Sequence, residues 1–157
     1  MVQIKRWDNG EVIHQGDFDS VKLCLEDGIK KGVSFNNAKL NNAELNYAEL
    51  NYAELNGAQL NGAKLNDAKL NYAQLNDAEL NYAKLNGAQL NDAELSNAKL
   101  NDAKLNYAQL NGAQLNDAEL NYAQLSYAKL PEKSYSICAG EEYYLFISPM
   151  VVQAGCK

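Results

Sequence analysis

Apolar positions recur along most of this chain with a period of five. Val33-Ser34-Phe35-Asn36-Asn37 opens the series, and Ala38-Lys39-Leu40-Asn41-Asn42 and Ala43-Glu44-Leu45-Asn46-Tyr47 follow. The register holds without a break to Ala128-Lys129-Leu130, where Pro131 ends it, so residues 33–127 make 19 complete pentads. Alanine holds the first position after Val33, leucine the third after Phe35, and asparagine the fourth except at Ser96 and Ser126. The second position is almost always Glu, Gln or Lys, and the fifth is Asn, Asp, Gly or Tyr. On an α-helix, five steps of about 100° overshoot a full turn, so the leucines would spiral and form no stripe. Along a flat strand an odd period sends alternate leucines to opposite faces. The chain must therefore turn a corner at each unit so that every Leu and Ala points inward. That is a solenoid, in which each coil buries its apolar face against the next.

These pentads resemble the pentapeptide repeat family, whose pattern is A-(D/N)-L-x-x. The resemblance covers about 100 of the 157 residues. It implies an all-β solenoid: a right-handed, four-sided parallel β-helix with four pentads per coil and about five coils. At about 4.8 Å per coil the rod would be roughly 24 Å long. This chain departs from the family pattern at the second position, where Glu, Gln or Lys changes the outer surface and leaves the core intact. Asparagine at the fourth position is expected to stack into ladders that satisfy its own amides.

Four pentads per coil would place residues twenty apart in one column. Glu54, Gln74, Glu94 and Gln114, flanked by Asp77 and Asp117, form a lysine-free candidate acidic face. Lys64, Lys84 and Lys104 stack in another column as a candidate basic stripe, about 5 Å apart and mutually repulsive, though solvent weakens this. Seven tyrosines take the fifth position, and Tyr52 would stack on Tyr72 and Tyr107 on Tyr127. Tyrosine is enriched at binding hot spots, so these four and the three lysines form the candidate interaction surface. The alternative is that the tyrosines only cover corners on extended backbone, and the charged columns are solvated.

The ends of the chain are not repetitive. In residues 1–32, apolar runs flank Asp8-Asn9-Gly10 as in a β-hairpin. Asp19 or Ser20 then caps a helix running to Lys31, with Gly32 as its stop. Val21, Cys24, Leu25, Gly28 and Ile29 share one face, expected to seal the first coil, because an open solenoid end exposes core leucines and unpaired edges. This lead-in is similar to that of pentapeptide proteins of bacteria and their phages. In residues 131–157, strands over 134–138, 143–147 and 150–154 predict a small β cap, or alternatively a dimer surface. The abrupt ending at Gly155-Cys156-Lys157 reads as truncated.

Charge and composition narrow the function. Fourteen basic against twenty acidic residues leave −6, which argues against direct nucleic-acid binding. No apolar run is long enough for a membrane helix and no secretory signal is visible, so the expected location is cytoplasmic. Cys24, Cys138 and Cys156 read as free thiols, with a Cys138–Cys156 disulfide as the alternative, and no zinc-ligand spacing is present. His14, the single histidine, falls on the predicted hairpin, where packing is its expected role. No nucleophile–base arrangement, phosphate loop, metal site or cofactor motif emerges. The reading is a non-enzymatic scaffold that binds a protein, as a monomer or as a homodimer through the C-terminal segment. The resemblance adds two alternatives: a DNA mimic of the kind that occupies the DNA-binding saddle of gyrase, and a phage-encoded counter-defence or host-takeover protein. Against mimicry, the repeats carry 7 Lys, 6 Glu and 5 Asp, a net −4. That is one charge per about 6 Å, against one per ~1.7 Å in duplex DNA.

Overall fold

The computed structural model describes residues 1–131 and, beyond them, the backbone of three short strands; residues 132–135, 139–143, 149–150 and 155–157 lie outside the described residues. The pentads form a four-sided parallel β-helix in which residues twenty apart pair, from Lys39 with Gln59 to Gln109 with Lys129. Each side contributes one paired residue, the second of its pentad. The Leu40 amide donates to the Gln59 carbonyl at 2.8 Å and the Gln59 amide to the Ala38 carbonyl at 2.9 Å, bracketing the Lys39–Gln59 pair. At each corner the amide of the first residue closes a turn on the leucine carbonyl before it, as Ala43 does on Leu40 at 3.1 Å. The fifth residue of every pentad has a left-handed φ of 55° to 70°. Left-handed backbone at the second central residue, after an Asn that is not left-handed, is the pattern of a type II turn. The leucines and alanines fill the interior, with Leu45 to Leu120 at most 3% exposed. The leucines meet so closely along the axis that a void of only about 10 Å³ remains between Leu50 and Leu110.

The fourth-position asparagines stitch the corners together. Asn41 Oδ1 accepts from the Asn61 amide at 3.0 Å, Asn61 from Asn81 at 3.1 Å, Asn81 from Asn101 at 3.1 Å and Asn101 from Asn121 at 3.0 Å. The side-chain NH₂ then has two choices, and the second-position residue eighteen further on largely decides between them. Where that residue is Glu or Gln, the NH₂ donates forward, as Asn61 does to Glu79 and Asn76 to Glu94. Where it is lysine, which accepts nothing, the NH₂ donates back to the preceding asparagine. Asn66, Asn81 and Asn86 do so, facing Lys84, Lys99 and Lys104 respectively. Asn91 donates back although Gln109 faces it. The second position thus does more than decorate the surface. Ser96 interrupts one ladder: Asn76 holds its amide at 3.0 Å, but among the described residues no side chain receives the Asn116 amide.

The N-terminal segment holds a hairpin and a helix, but the first strand stops before Arg6 and the second runs on past His14 to Gly16. Strands β1 (Val2–Lys5) and β2 (Val12–Gly16) pair antiparallel, and helix α1 covers Val21–Lys30. Ser20 caps α1, its Oγ accepting from the Leu23 amide, and Gly32 at φ 74° leads the chain away from it. Beyond β1 the chain departs from the hairpin to lie along the first coil. The Lys39 amide donates to the Lys5 carbonyl at 2.8 Å, the Trp7 amide to the Asn37 carbonyl at 3.0 Å, and the Trp7 indole to the Gly57 carbonyl at 2.9 Å. Cys24, Leu25 and Gly28 of α1 are buried, whereas Val21 and Ile29 are half-buried. Glu26, also buried, turns its carboxylate onto the Glu49 amide at 2.9 Å, which has no coil before it to supply a carbonyl. Phe35 stands where later pentads have leucine because its ring fills the space under α1. A Cβ on Gly28 would collide with that ring. Past the rod, β3 (Ser136–Cys138), β4 (Tyr144–Ser148) and β5 (Val151–Ala154) pair antiparallel in the order β3-β4-β5. The side chain of Cys138 and all of Cys156 lie outside the described residues.

Two expected outcomes follow from these contacts. Ser96→Asn supplies the missing acceptor and should raise stability by about 1 kcal/mol in thermal or urea unfolding. Hydrogen bonds from Lys31 and then His14 hold the Asp27 carboxyl below its usual range. Its folded value lies below its unfolded one, so ionised Asp27 stabilises the N-terminal elements above the ordinary carboxylate range. That contribution is lost as pH falls through the depressed value. Asp27→Asn should lower Tm at neutral pH and flatten its fall in acid, and an unaltered acid limb would remove Asp27 from this role.

Candidate functional site

The twenty-residue stacking sorts the outer side chains into four faces, and the candidate residues divide between two opposite ones. On one face Glu54, Gln74, Glu94 and Gln114 stack as expected. Asp77 and Asp117 line one corner of that face, and Tyr52, Tyr72 and Asp92 line the other. This face holds five carboxylates and no lysine, and Asp92 is a member that the sequence reading left out. Glu94 is already engaged, accepting from Asn76 at 2.8 Å.

On the opposite face Glu44, Lys64, Lys84, Lys104 and Gln124 stack. Lys64 pairs with Glu44, one coil below. Lys84 and Lys104 have no carboxylate within ion-pair distance among the described residues, so the candidate stripe reduces to two free cations. Tyr107 and Tyr127 line one corner of this face, while Tyr82 and Tyr122 line the other. Tyr52 and Tyr72 are thus separated from the lysines and belong to the acidic side. Both expected tyrosine stacks form, with ring centroids 5.0 Å apart for Tyr52–Tyr72 and 5.2 Å for Tyr107–Tyr127. Tyr82 and Tyr122 had no signal in the pairwise stacking. Their signal is position in the twenty-residue count, on the corner beside Lys84 and Lys104.

All seven corner tyrosines have left-handed backbone, with φ from 59° to 62°. The extended backbone expected for corner tyrosines is not what the structure holds. The fifth position closes the turn and leaves no extended residue there. Left-handed backbone costs an L-residue with a Cβ roughly 1–2 kcal/mol. Stacking returns about 0.5–1.5 kcal/mol to a pair. Among the described residues Tyr47, Tyr82 and Tyr122 have no stacking partner, and they stand 68%, 66% and 78% exposed. Corner glycines escape the cost altogether, and each follows an Asn or Asp one coil earlier whose Oδ1 occupies the place of a Cβ.

Two further groups pack among the N-terminal elements. His14 lies edge-on to Phe35 and 2.8 Å from Asp27, and Cys24 is buried, where desolvation raises its thiol above the usual value. Among the described residues no group of three or more His, Cys, Asp or Glu side chains is placed to hold a metal ion, and no helix is long and apolar enough to cross a membrane.

With this geometry in hand, the chain matches the family described as the pentapeptide repeat region, over residues 29–105 and 58–130. The chain belongs to the pentapeptide repeat family. Its right-handed quadrilateral β-helix is the architecture built here from twenty-residue stacking. A pentapeptide repeat protein (Rfr23) from the cyanobacterium Cyanothece 51142 is 30% identical with a TM-score of 0.53, over 60% of this chain and 61% of that one. This pentapeptide chain therefore spans about three fifths of that relative's length. Another pentapeptide repeat protein, alr5209 from Nostoc PCC 7120, is 30% identical over 76% of this chain and 91% of its own, with a TM-score of 0.43. None of the curated proteins shows a significant sequence match.

The corner strain is measurable in the pentapeptide rod. Tyr82→Gly should stabilise it by roughly 0.5–1 kcal/mol, the relief of left-handed strain less the added chain entropy. Tyr72→Gly should gain less, because it also breaks a stack. Urea midpoints of the two variants make the comparison, and equal shifts would show that stacking offsets none of the strain.

Proposed function

We propose that this chain is a non-enzymatic interaction protein that binds a protein partner through its lysine–tyrosine face. The rod has about five coils. The hairpin and α1 close one end, and the β3–β5 sheet is assigned as the cap of the other. The observation that carries the reading is the company of strain and unpaired charge. Tyr82 and Tyr122 hold a costly backbone conformation, are exposed, and have no stacking partner among the described residues to offset it. They stand beside Lys84 and Lys104, which have no carboxylate within ion-pair distance among the described residues, although Asp102 shares the tyrosines' corner. Strained residues kept against their own stability cost mark functional sites. Tyrosine and a free cation together suit an acidic protein surface. The rod is already ordered by its ladders, so docking on it loses little further conformational entropy. Pentapeptide repeat proteins are in general structural or interaction proteins, which agrees with this reading.

The acidic face supports a second reading, mimicry of DNA toward gyrase or a related topoisomerase. In its favour are five carboxylates on one side with no lysine among them. Against it stands the charge density, several-fold below that of duplex DNA.

A tagged pull-down from bacterial lysate at low and high salt separates the two. It compares the native chain with Lys84→Glu/Lys104→Glu and with Glu54→Lys/Glu94→Lys. The expected outcome is a stoichiometric protein lost from the lysine variant and retained by the glutamate variant. Salt-labile capture of a topoisomerase, lost only in the glutamate variant, would transfer the function to the acidic face.

A further inference from the structure

The rod contains four Asn-Gly pairs: Asn56–Gly57, Asn61–Gly62, Asn86–Gly87 and Asn111–Gly112. This dipeptide is the one most open to intramolecular attack on the asparagine side chain, because glycine has no Cβ to shield its nitrogen. Attack requires the Asn–Gly peptide to rotate until the glycine nitrogen faces the asparagine Cγ. A hydrogen bond on the glycine N–H, or on the side-chain amide, opposes that rotation.

Three of the pairs are pinned in this way. The Gly57, Gly62 and Gly87 amides donate to the carbonyls of Asn76, Asn81 and Asn106 at 2.8, 2.9 and 2.9 Å. Oδ1 of Asn56, Asn61 and Asn86 accepts from the amides of the same three residues at 3.0, 3.1 and 3.2 Å. Their NH₂ groups donate to Gln74, Glu79 and Asn66. The fourth pair differs at two of these points. Asn111 keeps its NH₂ bond to Asn91 Oδ1 at 2.8 Å. Among the described residues, however, the Gly112 amide has no acceptor and Asn111 Oδ1 has no donor, and both residues are exposed. The lost donor has a one-residue cause. The ladder donor for Asn111 would be the amide twenty residues on, which is Pro131 and has no N–H. The residue that ends the repeat also unlocks the last Asn-Gly turn.

We propose that Asn111–Gly112 is a modification site, where spontaneous deamidation is selective for one of four chemically identical dipeptides. The Gly112 nitrogen forms a bond to Asn111 Cγ. The Cγ–Nδ2 bond breaks, and Nδ2 leaves as ammonia, the Gly112 amide proton being released in the process. Water then opens the succinimide at either carbonyl, leaving aspartate or isoaspartate. The product loses the NH₂ donation to Asn91 and turns a carboxylate toward Asn91 Oδ1. It also adds a negative charge to the corner that carries Asp92. The isoaspartyl form lengthens the backbone and shifts the last coil out of register.

The test holds the full chain, folded, at mildly alkaline pH and follows the amide-to-acid mass gain of each peptide over time, beside a sample in urea. Asn111 should convert at least about tenfold faster than Asn56, Asn61 and Asn86 in the folded chain, because those three must first break a backbone bond and ladder bonds. In urea the four should converge. Equal folded rates, or a slower Asn111, would overturn the proposal. Pro131→Ala restores the missing donor and should slow Asn111 toward the other three. An unchanged Asn111 rate in that variant would overturn the part assigned to proline.

Discussion

The rod depends on a left-handed residue at every fifth position. That residue turns the chain at each corner, so that the next pentad can again pair its second residue with the one twenty places on. With a single paired residue per side, no strand is long enough to stand alone. Cohesion comes from repetition along the axis, where carbonyls, asparagine side chains and leucines each meet their own kind in the next coil. Only glycine takes this conformation without cost, yet glycine fills just four of the nineteen corners. Eight of the others carry Asn or Asp, which tolerate it best, and seven carry tyrosine, which does not.

A stack of this kind is self-satisfying in its middle and deficient at its ends. At the start, two second-position amides with no preceding coil find substitutes, the Lys5 carbonyl and the Glu26 carboxylate. Phe35, Gly28 and His14 pack together beneath the helix. At Pro131 the deficiency is left in place, and the consequence falls on Asn111 rather than on a core residue.

The same stacking that makes the interior uniform makes the exterior heterogeneous. Each face samples every fourth pentad, so residues that alternate along the chain become sorted by side. Three lysines collect opposite a lysine-free acidic face, although the repeats as a whole carry a small net charge of −4. Ion pairs one coil apart, Lys64–Glu44 and Lys69–Glu49 among them, remove some of these charges from play and leave Lys84 and Lys104 without an ion-pair partner among the described residues. Exposed pairs of this sort add little to stability. Their importance here is in deciding which cations remain available to a partner.

The repeat, its inward Leu and Ala, the corner at each unit, the Asn ladders and the stacked tyrosine pairs were all legible in the sequence, because period and chemistry are local. Helix α1 was legible for the same reason, from Ser20 to Gly32. Other features depended on residues brought together from distant places. The Glu26 carboxylate on the Glu49 amide could not be read, since nothing in a helical pattern says which coil edge will lack a carbonyl. The asparagine NH₂ choosing between a residue eighteen ahead and one twenty behind needed the stacked geometry. So did the left-handed tyrosines, which local preference places in extended backbone. The sequence by itself determined that the chain must coil and what each coil buries, because burial follows the period. Only the tertiary structure decided which lysines pair with a carboxylate and which amides go unpartnered, because those contacts form only once the coils are stacked.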